Sequence, residues 1–102
     1  MTQQRVPTHE DFSKVFRALA DDTRRQVLAA LVNHELSVLE VAERMRDRAS
    51  VSVVSRHLAV LRDAGIVQEE PGTDGRYLYK MQHACKYEIE RAFGALLALW
   101  KR

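Results

Sequence analysis

Residues 50–67 read Ser50-Val51-Ser52-Val53-Val54-Ser55-Arg56-His57-Leu58-Ala59-Val60-Leu61-Arg62-Asp63-Ala64-Gly65-Ile66-Val67. At 100° per residue, Val54, Leu58 and Leu61 fall on one side, the signature of an amphipathic helix with a buried stripe. Ser50 stands where a hydroxyl caps the first free amides, and Gly65 where the chain needs a left-handed residue to stop. Segment 50–64 is therefore a helix with a start, a core side and an end. Val51, Ser52, Ser55, Arg56, Ala59 and Arg62 collect on a neighbouring face, small at first and then basic. Val51 and Val53 are expected to be exposed.

Working outward, Ser37-Val38-Leu39-Glu40 matches a capping box, in which serine and glutamate each satisfy the other's orphan amide. The short helix it opens buries Val38, Val41, Ala42 and Met45, and Arg46-Asp47-Arg48-Ala49 follows as a polar turn. Upstream, Asp21 caps a helix whose stripe is Val27, Leu28 and Leu31, broken by Asn33-His34-Glu35. Thr8 caps a first helix over about residues 9–20, carrying Phe12, Val15, Phe16 and Leu19. Residues 1–7 read as a flexible arm. Downstream, strands Ile66–Glu70 and Arg76–Met81 flank Pro71-Gly72-Thr73-Asp74-Gly75, a loop of turn-forming residues, giving a hairpin over 66–81. His83 to Lys101 reads as one last helix. No repeat or low-complexity segment interrupts residues 1–102, a single mainly α domain with a small hairpin (α+β). Four helices, a hairpin and a final helix make a winged helix-turn-helix.

A chain of 102 residues buries only about 60–65 % of its unfolded surface, so its core is thin. With 46 % hydrophobic residues it is nevertheless too apolar to be disordered. Its apolar runs fall far short of the roughly 18 residues that suggest a membrane span. Met1-Thr2-Gln3-Gln4-Arg5 lacks a secretory pattern, so a cytoplasmic protein is expected. One cysteine, Cys85, excludes an intramolecular disulfide and reads as a small core residue. The formal charge of +2 is modest but uneven. Arg44, Arg46, Arg48, Arg56 and Arg62 face a single acid, Asp47, in their stretch, which fits either a solvated arginine-rich surface or an electrostatic footprint for phosphates, and charge alone does not choose between them. No phosphate loop, carboxylate pair or nucleophile set accompanies them, so no enzyme is expected.

Phe16-Arg17-Ala18-Leu19-Ala20-Asp21-Asp22-Thr23-Arg24-Arg25, Glu35-Leu36-Ser37-Val38, Val54 to Val67 as quoted, and Gly75-Arg76-Tyr77-Leu78-Tyr79 occur in an order that resembles the arsenic-repressor (ArsR/SmtB) family of bacterial regulators. The resemblance covers roughly residues 12–81. It implies a homodimeric transcriptional repressor that binds double-stranded DNA at an inverted-repeat operator. The family's operator-contacting positions align with Val51, Ser52, Ser55 and Arg56, the face already singled out by helical geometry. Arg56 suits a bidentate bond to guanine, and the serines suit bases or phosphates. Arg44, Arg46 and Arg48 are expected at phosphates, and Arg62 completes the DNA-binding face of the helix. In the hairpin, Thr73, Arg76 and Lys80 are candidates for backbone or minor-groove contact. His57 reads as structural, and Tyr77 and Tyr79 as packing under the wing. The stretch from Met45 to Ser50 is about two residues longer than the short turn usual in this motif, so either the helix extends or the turn bulges.

The last helix carries Cys85, Ile89, Ala92, Phe93, Leu96, Leu97, Leu99 and Trp100, a stripe too wide for one thin domain to cover. With Phe12 and Phe16 from the first helix it reads as a two-fold interface. The family's thiolate positions hold Ser37 and Leu39 here, which offer nothing to soft metals. Its second ligand pair is replaced by leucines such as Leu96 and Leu99, and no cofactor is expected. His83, Cys85 and Glu88 are the remaining metal candidates, with His9 as a further donor. Two other readings stand beside the repressor: a winged helix that binds proteins, as an antirepressor or partner module, and a metal-responsive sensor with a non-standard site.

Overall fold

The computed structural model describes residues 9–101. Its elements are α1 (His9–Leu19), α2 (Asp22–Ala30), α3 (Val38–Met45), α4 (Val51–Asp63), β1 (Val67–Pro71), β2 (Tyr77–Met81) and α5 (His83–Ala98). Short 3-10 turns at Arg46–Arg48 and Leu99–Lys101 follow α3 and α5. The expected arm over residues 1–7 and the Thr8 cap lie outside the described residues. Among those residues, no helix is long and apolar enough to cross a membrane.

The helices begin where side chains satisfy free amides. Asp21 accepts from the Arg24 amide at 2.9 Å. Ser37 Oγ accepts from the Glu40 amide at 3.2 Å while Glu40 Oε1 accepts from the Ser37 amide at 3.0 Å, closing the capping box. Ser50 Oγ accepts from the Val53 amide at 3.3 Å. α4 stops at Gly65, whose φ of +77° an L side chain rarely adopts. The Gly65 amide bonds the Arg62 carbonyl and the Ile66 amide bonds the Leu61 carbonyl, both at 2.9 Å. These two bonds are a Schellman closure. Ile66 is thereby spent on ending the helix, so β1 begins at Val67 and not at Ile66 as expected.

The wing is antiparallel, running from Val67 opposite Met81 to Pro71 opposite Tyr77. β2 starts one residue later than expected because Arg76 belongs to the turn: its carbonyl accepts from the Gly72 amide at 2.6 Å and its own amide bonds Asp74. A Cβ on Gly72 would meet that carbonyl at 2.7 Å, so the tip is built around glycine. Leu36 adds an unforeseen third edge. Its amide donates to the Tyr79 carbonyl at 3.0 Å and its carbonyl accepts from the Tyr79 amide at 2.7 Å.

The core gathers Val27, Leu31, Val41, Val54, Leu58 and Leu61, all fully buried, with α4 lying against α1, α2, α3 and β1. Four further expectations need correction. α1 ends at Leu19, one residue early. Val53 is half-buried, because it flanks the core stripe on the His57 side of α4. Tyr79 is buried, but Tyr77 is 56 % exposed, since it sits opposite Pro71 at the loop end of the wing, beyond the helical layer. The last helix is not α-helical to Lys101; past Ala98 it tightens into a 3-10 turn, as unsatisfied terminal carbonyls commonly do. The long stretch after Met45 bulges and does not extend α3: Arg46 takes φ +42° and a 3-10 turn carries the chain to Ala49.

Candidate nucleic-acid interface

Because Val54, Leu58 and Leu61 are anchored inward, α4 turns Val51, Ser52, Ser55 and Arg56 outward, and all four are exposed. Ser52 Oγ lies 3.3 Å from the capping Ser50 Oγ, which ties the first turn together. Among the described residues no carboxylate pairs with Arg56, so its guanidinium is open to a ligand. Ala59, further along, is half-buried. The result is a shallow helix face with an exposed cation in its second turn, the shape that enters a major groove.

The surrounding basic residues are less uniform than their spacing suggested. Arg44, Arg46 and Arg48 are exposed. Arg48 Nη1 donates to Gln26 Oε1 at 3.1 Å, which lays the bulged turn against α2. Arg62 is exposed but paired, with Nη1 at 2.7 Å from Glu69 Oε2 and Nε at 3.4 Å from Asp63 Oδ1. At the wing tip Thr73 is exposed, and Arg76 is held by Asp74, its Nε at 2.7 Å from Oδ2. Lys80 pairs diagonally across the hairpin with Glu70 at 3.2 Å. The pairings pull the Asp74 carboxyl below its usual range, Arg76 being the leading cause.

Two residues that sequence reasoning did not single out hold α4 in place. Arg24 Nη1 donates to the Arg17 and Ala18 carbonyls at 3.1 Å each, closing the end of α1, while its Nε donates to His57 Nδ1 at 3.3 Å. Glu69 joins α4 to the wing. Neither had a local signal, since each acts on residues distant in sequence. His57, by contrast, occupies the structural position expected of it.

The metal candidates do not converge. His83, Cys85 and Glu88 follow one another on α5 at offsets of two and three, and positions two apart on a helix point to nearly opposite sides. His83 is exposed and Cys85 buried, and among the described residues no three metal-ligating side chains come together. Burial first, then Glu88, pushes the Cys85 thiol up, away from its reactive form. The side chain of His9 lies outside the described set.

A second surface lies on α5. Cys85 and Ala92 dock inward with half-buried Ile89, while Phe93, Leu96, Leu97, Leu99 and Trp100 stay exposed, Trp100 at 79 %. Phe16 of α1 meets Phe93 edge-on at 5.5 Å, and Phe12 is half-buried nearby in sequence.

A helix-turn-helix domain family matches residues 19–70. The chain is 42 % identical over 83 residues to the HTH-type transcriptional regulator KmtR of Mycobacterium tuberculosis, covering 80 % of this chain and 62 % of that protein. It therefore spans less than two thirds of that relative's length. A cadmium resistance transcriptional regulatory protein, a CadC homologue of Staphylococcus aureus, is 34 % identical over 87 residues, covering 81 % of this chain and 68 % of the other. An ArsR-like transcriptional regulator from Rhodococcus superposes with a TM-score of 0.82 at 27 % identity, over 95 % of this chain and 89 % of that one.

The His57 contact generates a pH prediction. Burial lowers its pKa from the ordinary 6.5, Asp21 opposes that, and Arg24 and Arg56 add to it. The unfolded chain thus takes up the proton before the native one, so stability is full above pH 6.5 and falls as pH drops below it. Denaturant unfolding between about pH 8 and pH 5 is expected to show this loss in the wild type and a smaller one in His57→Gln. Superimposable profiles would contradict the assignment.

Proposed function

Because this chain belongs to the arsenic-repressor (ArsR/SmtB) family of winged helix-turn-helix regulators, we propose that it is a sequence-specific DNA-binding transcriptional regulator. It acts as a homodimeric repressor at an inverted-repeat operator. The observation that carries this reading is the outward face of α4, with Val51, Ser52, Ser55 and the exposed Arg56 together on a helix locked from behind. Small side chains let the backbone approach base edges, and Arg56 supplies a planar fork for guanine. Arg44, Arg46 and Arg48 serve the phosphate backbone beside it, and Thr73 and Arg76 reach the flanking groove from the wing tip. No catalytic residue is assigned, in keeping with relatives that are transcriptional regulators.

A protein-binding winged helix would need an apolar anchor on this face. With Val53 half-buried, only Val51 remains to support that reading. The exposed apolar surface of α5, with Phe12 and Phe16 of α1, supports a two-fold dimer instead. Such a dimer places two α4 helices about one DNA turn apart, near 34 Å, which matches an inverted repeat.

Two substitutions test these roles. Arg56→Ala is expected to cost about 1–3 kcal/mol of operator affinity in a fluorescence-anisotropy titration, with stability unchanged because the side chain is exposed. Full affinity in that variant would remove Arg56 from the interface. Leu97, 60 % exposed, tests the dimer. Sedimentation equilibrium should find paired chains for the wild type and single chains for Leu97→Glu, and a monomeric wild type would refute the two-fold reading.

A further inference from the structure

The inner face of the wing carries a carboxylate where an apolar residue would ordinarily pack. Glu69 stands directly opposite Tyr79 in the hairpin register, so the two side chains share one side of the sheet. Glu69 Oε2 accepts from Tyr79 Oη at 2.7 Å and from Arg62 Nη1 at 2.7 Å. Arg62 belongs to the last turn of α4, and Tyr79 is itself bonded through both backbone groups to Leu36, the residue before the α3 cap. One carboxylate oxygen thus joins the recognition helix, both wing strands and the entry to α3.

We infer that Glu69 and Arg62 form a positioning pair that fixes the wing against α4, so that Arg62 serves DNA binding through Glu69 and not by gripping a phosphate. This rests on the operator-binding reading above. Arg62 is flanked by two acids, Glu69 and Asp63, which leave little net charge for a phosphate. Its side chain is 42 % exposed, against 22 % for Glu69, so the pair sits at a partly dried seam where a charge-assisted hydrogen bond holds geometry well. The wing tip lies beyond Pro71, where β1 ends two residues past Glu69, and Thr73 and Arg76 belong to the turn that follows. A rotation at the seam therefore carries Thr73 and Arg76 with it. Tyr79 and then Arg62 hold the Glu69 carboxyl below its usual range. Burial, with Glu69 adding to it, pushes the Tyr79 hydroxyl up to about 12, so it remains a donor.

The test compares wild type, Glu69→Gln, Arg62→Ala and the double variant by salt-dependent operator binding and hydroxyl-radical footprinting, with thermal melts confirming folding. Each single change is expected to weaken operator binding about tenfold and to erase wing protection in the flanking groove, leaving the α4 footprint in place. The double variant should lose no more than either single one, the mark of a coupled pair. If Arg62 instead contacts a phosphate, Glu69→Gln frees it, tightens binding and steepens the salt dependence, which overturns the inference. Additive losses overturn it as well. Should Glu69→Gln melt below the assay temperature, Glu69→Asp keeps the charge and draws the carboxylate back from Arg62 by one methylene. Lost wing protection in that variant supports the pair, and an unchanged footprint overturns it. Arg56→Ala separates the two readings: if it loses operator preference while Glu69→Gln keeps the full footprint, only the positioning pair is wrong. A wild type with no preference for its operator fails both.

Discussion

Val54, Leu58 and Leu61 have no exposed surface, and the rest of the molecule depends on that burial. Each such side chain contributes about 1.5–3 kcal/mol when taken out of water. Three of them account for a large part of the roughly 5–15 kcal/mol by which a domain of this kind is stable. α4 therefore cannot rotate without unfolding the protein, and the face beside the stripe is committed to solvent. The outward surface of α4 is rigid chiefly as a result of the core, with the Ser50–Ser52 contact and the Arg62–Glu69 pair adding to it from outside. Arg24 adds a second restraint by holding His57 from the end of α1, and the Schellman closure at Gly65 fixes where the helix hands over to the wing.

The features legible in the sequence are those decided within a few residues. The Ser37–Glu40 capping box, the Asp21 and Ser50 caps, the Gly65 stop and the spacing of the α4 stripe each follow from neighbours on the same helix, and the structure contains all of them. The features that were not legible join distant segments. Nothing in Asn33-His34-Glu35-Leu36 announces that Leu36 will pair with Tyr79. Arg62 reads as one more cation in a basic run until the hairpin register brings Glu69 beside it. Tyr77 and Tyr79 look equivalent by alternation, yet one is buried and one exposed, because the helical layer ends before the strand does. Val53 shows the same limit on a helix, where a position at the edge of the stripe is assigned by how far the neighbouring elements reach.

The two outward surfaces have different chemistry and lie on different elements. The α4 face is small, polar and basic, while the end of α5 is aliphatic and aromatic. The apolar end of α5 gains from being covered, whereas the α4 face is stable in water. In the proposed dimer, pairing of two copies through α5 would set the distance between the two α4 helices. The bulged Arg46–Arg48 turn lies between α3 and α4, so this chain presents its cations there on a longer turn than the motif requires.

The central claim is most directly tested by titrating the protein, across a range of salt, onto two labelled duplexes, one carrying the chain's own upstream region and one of scrambled sequence. The account predicts that the native duplex binds about 10³-fold or more tightly, with log K falling steeply and linearly in log salt. Equal, weak binding to both duplexes would contradict it and leave the winged helix as a surface for binding protein.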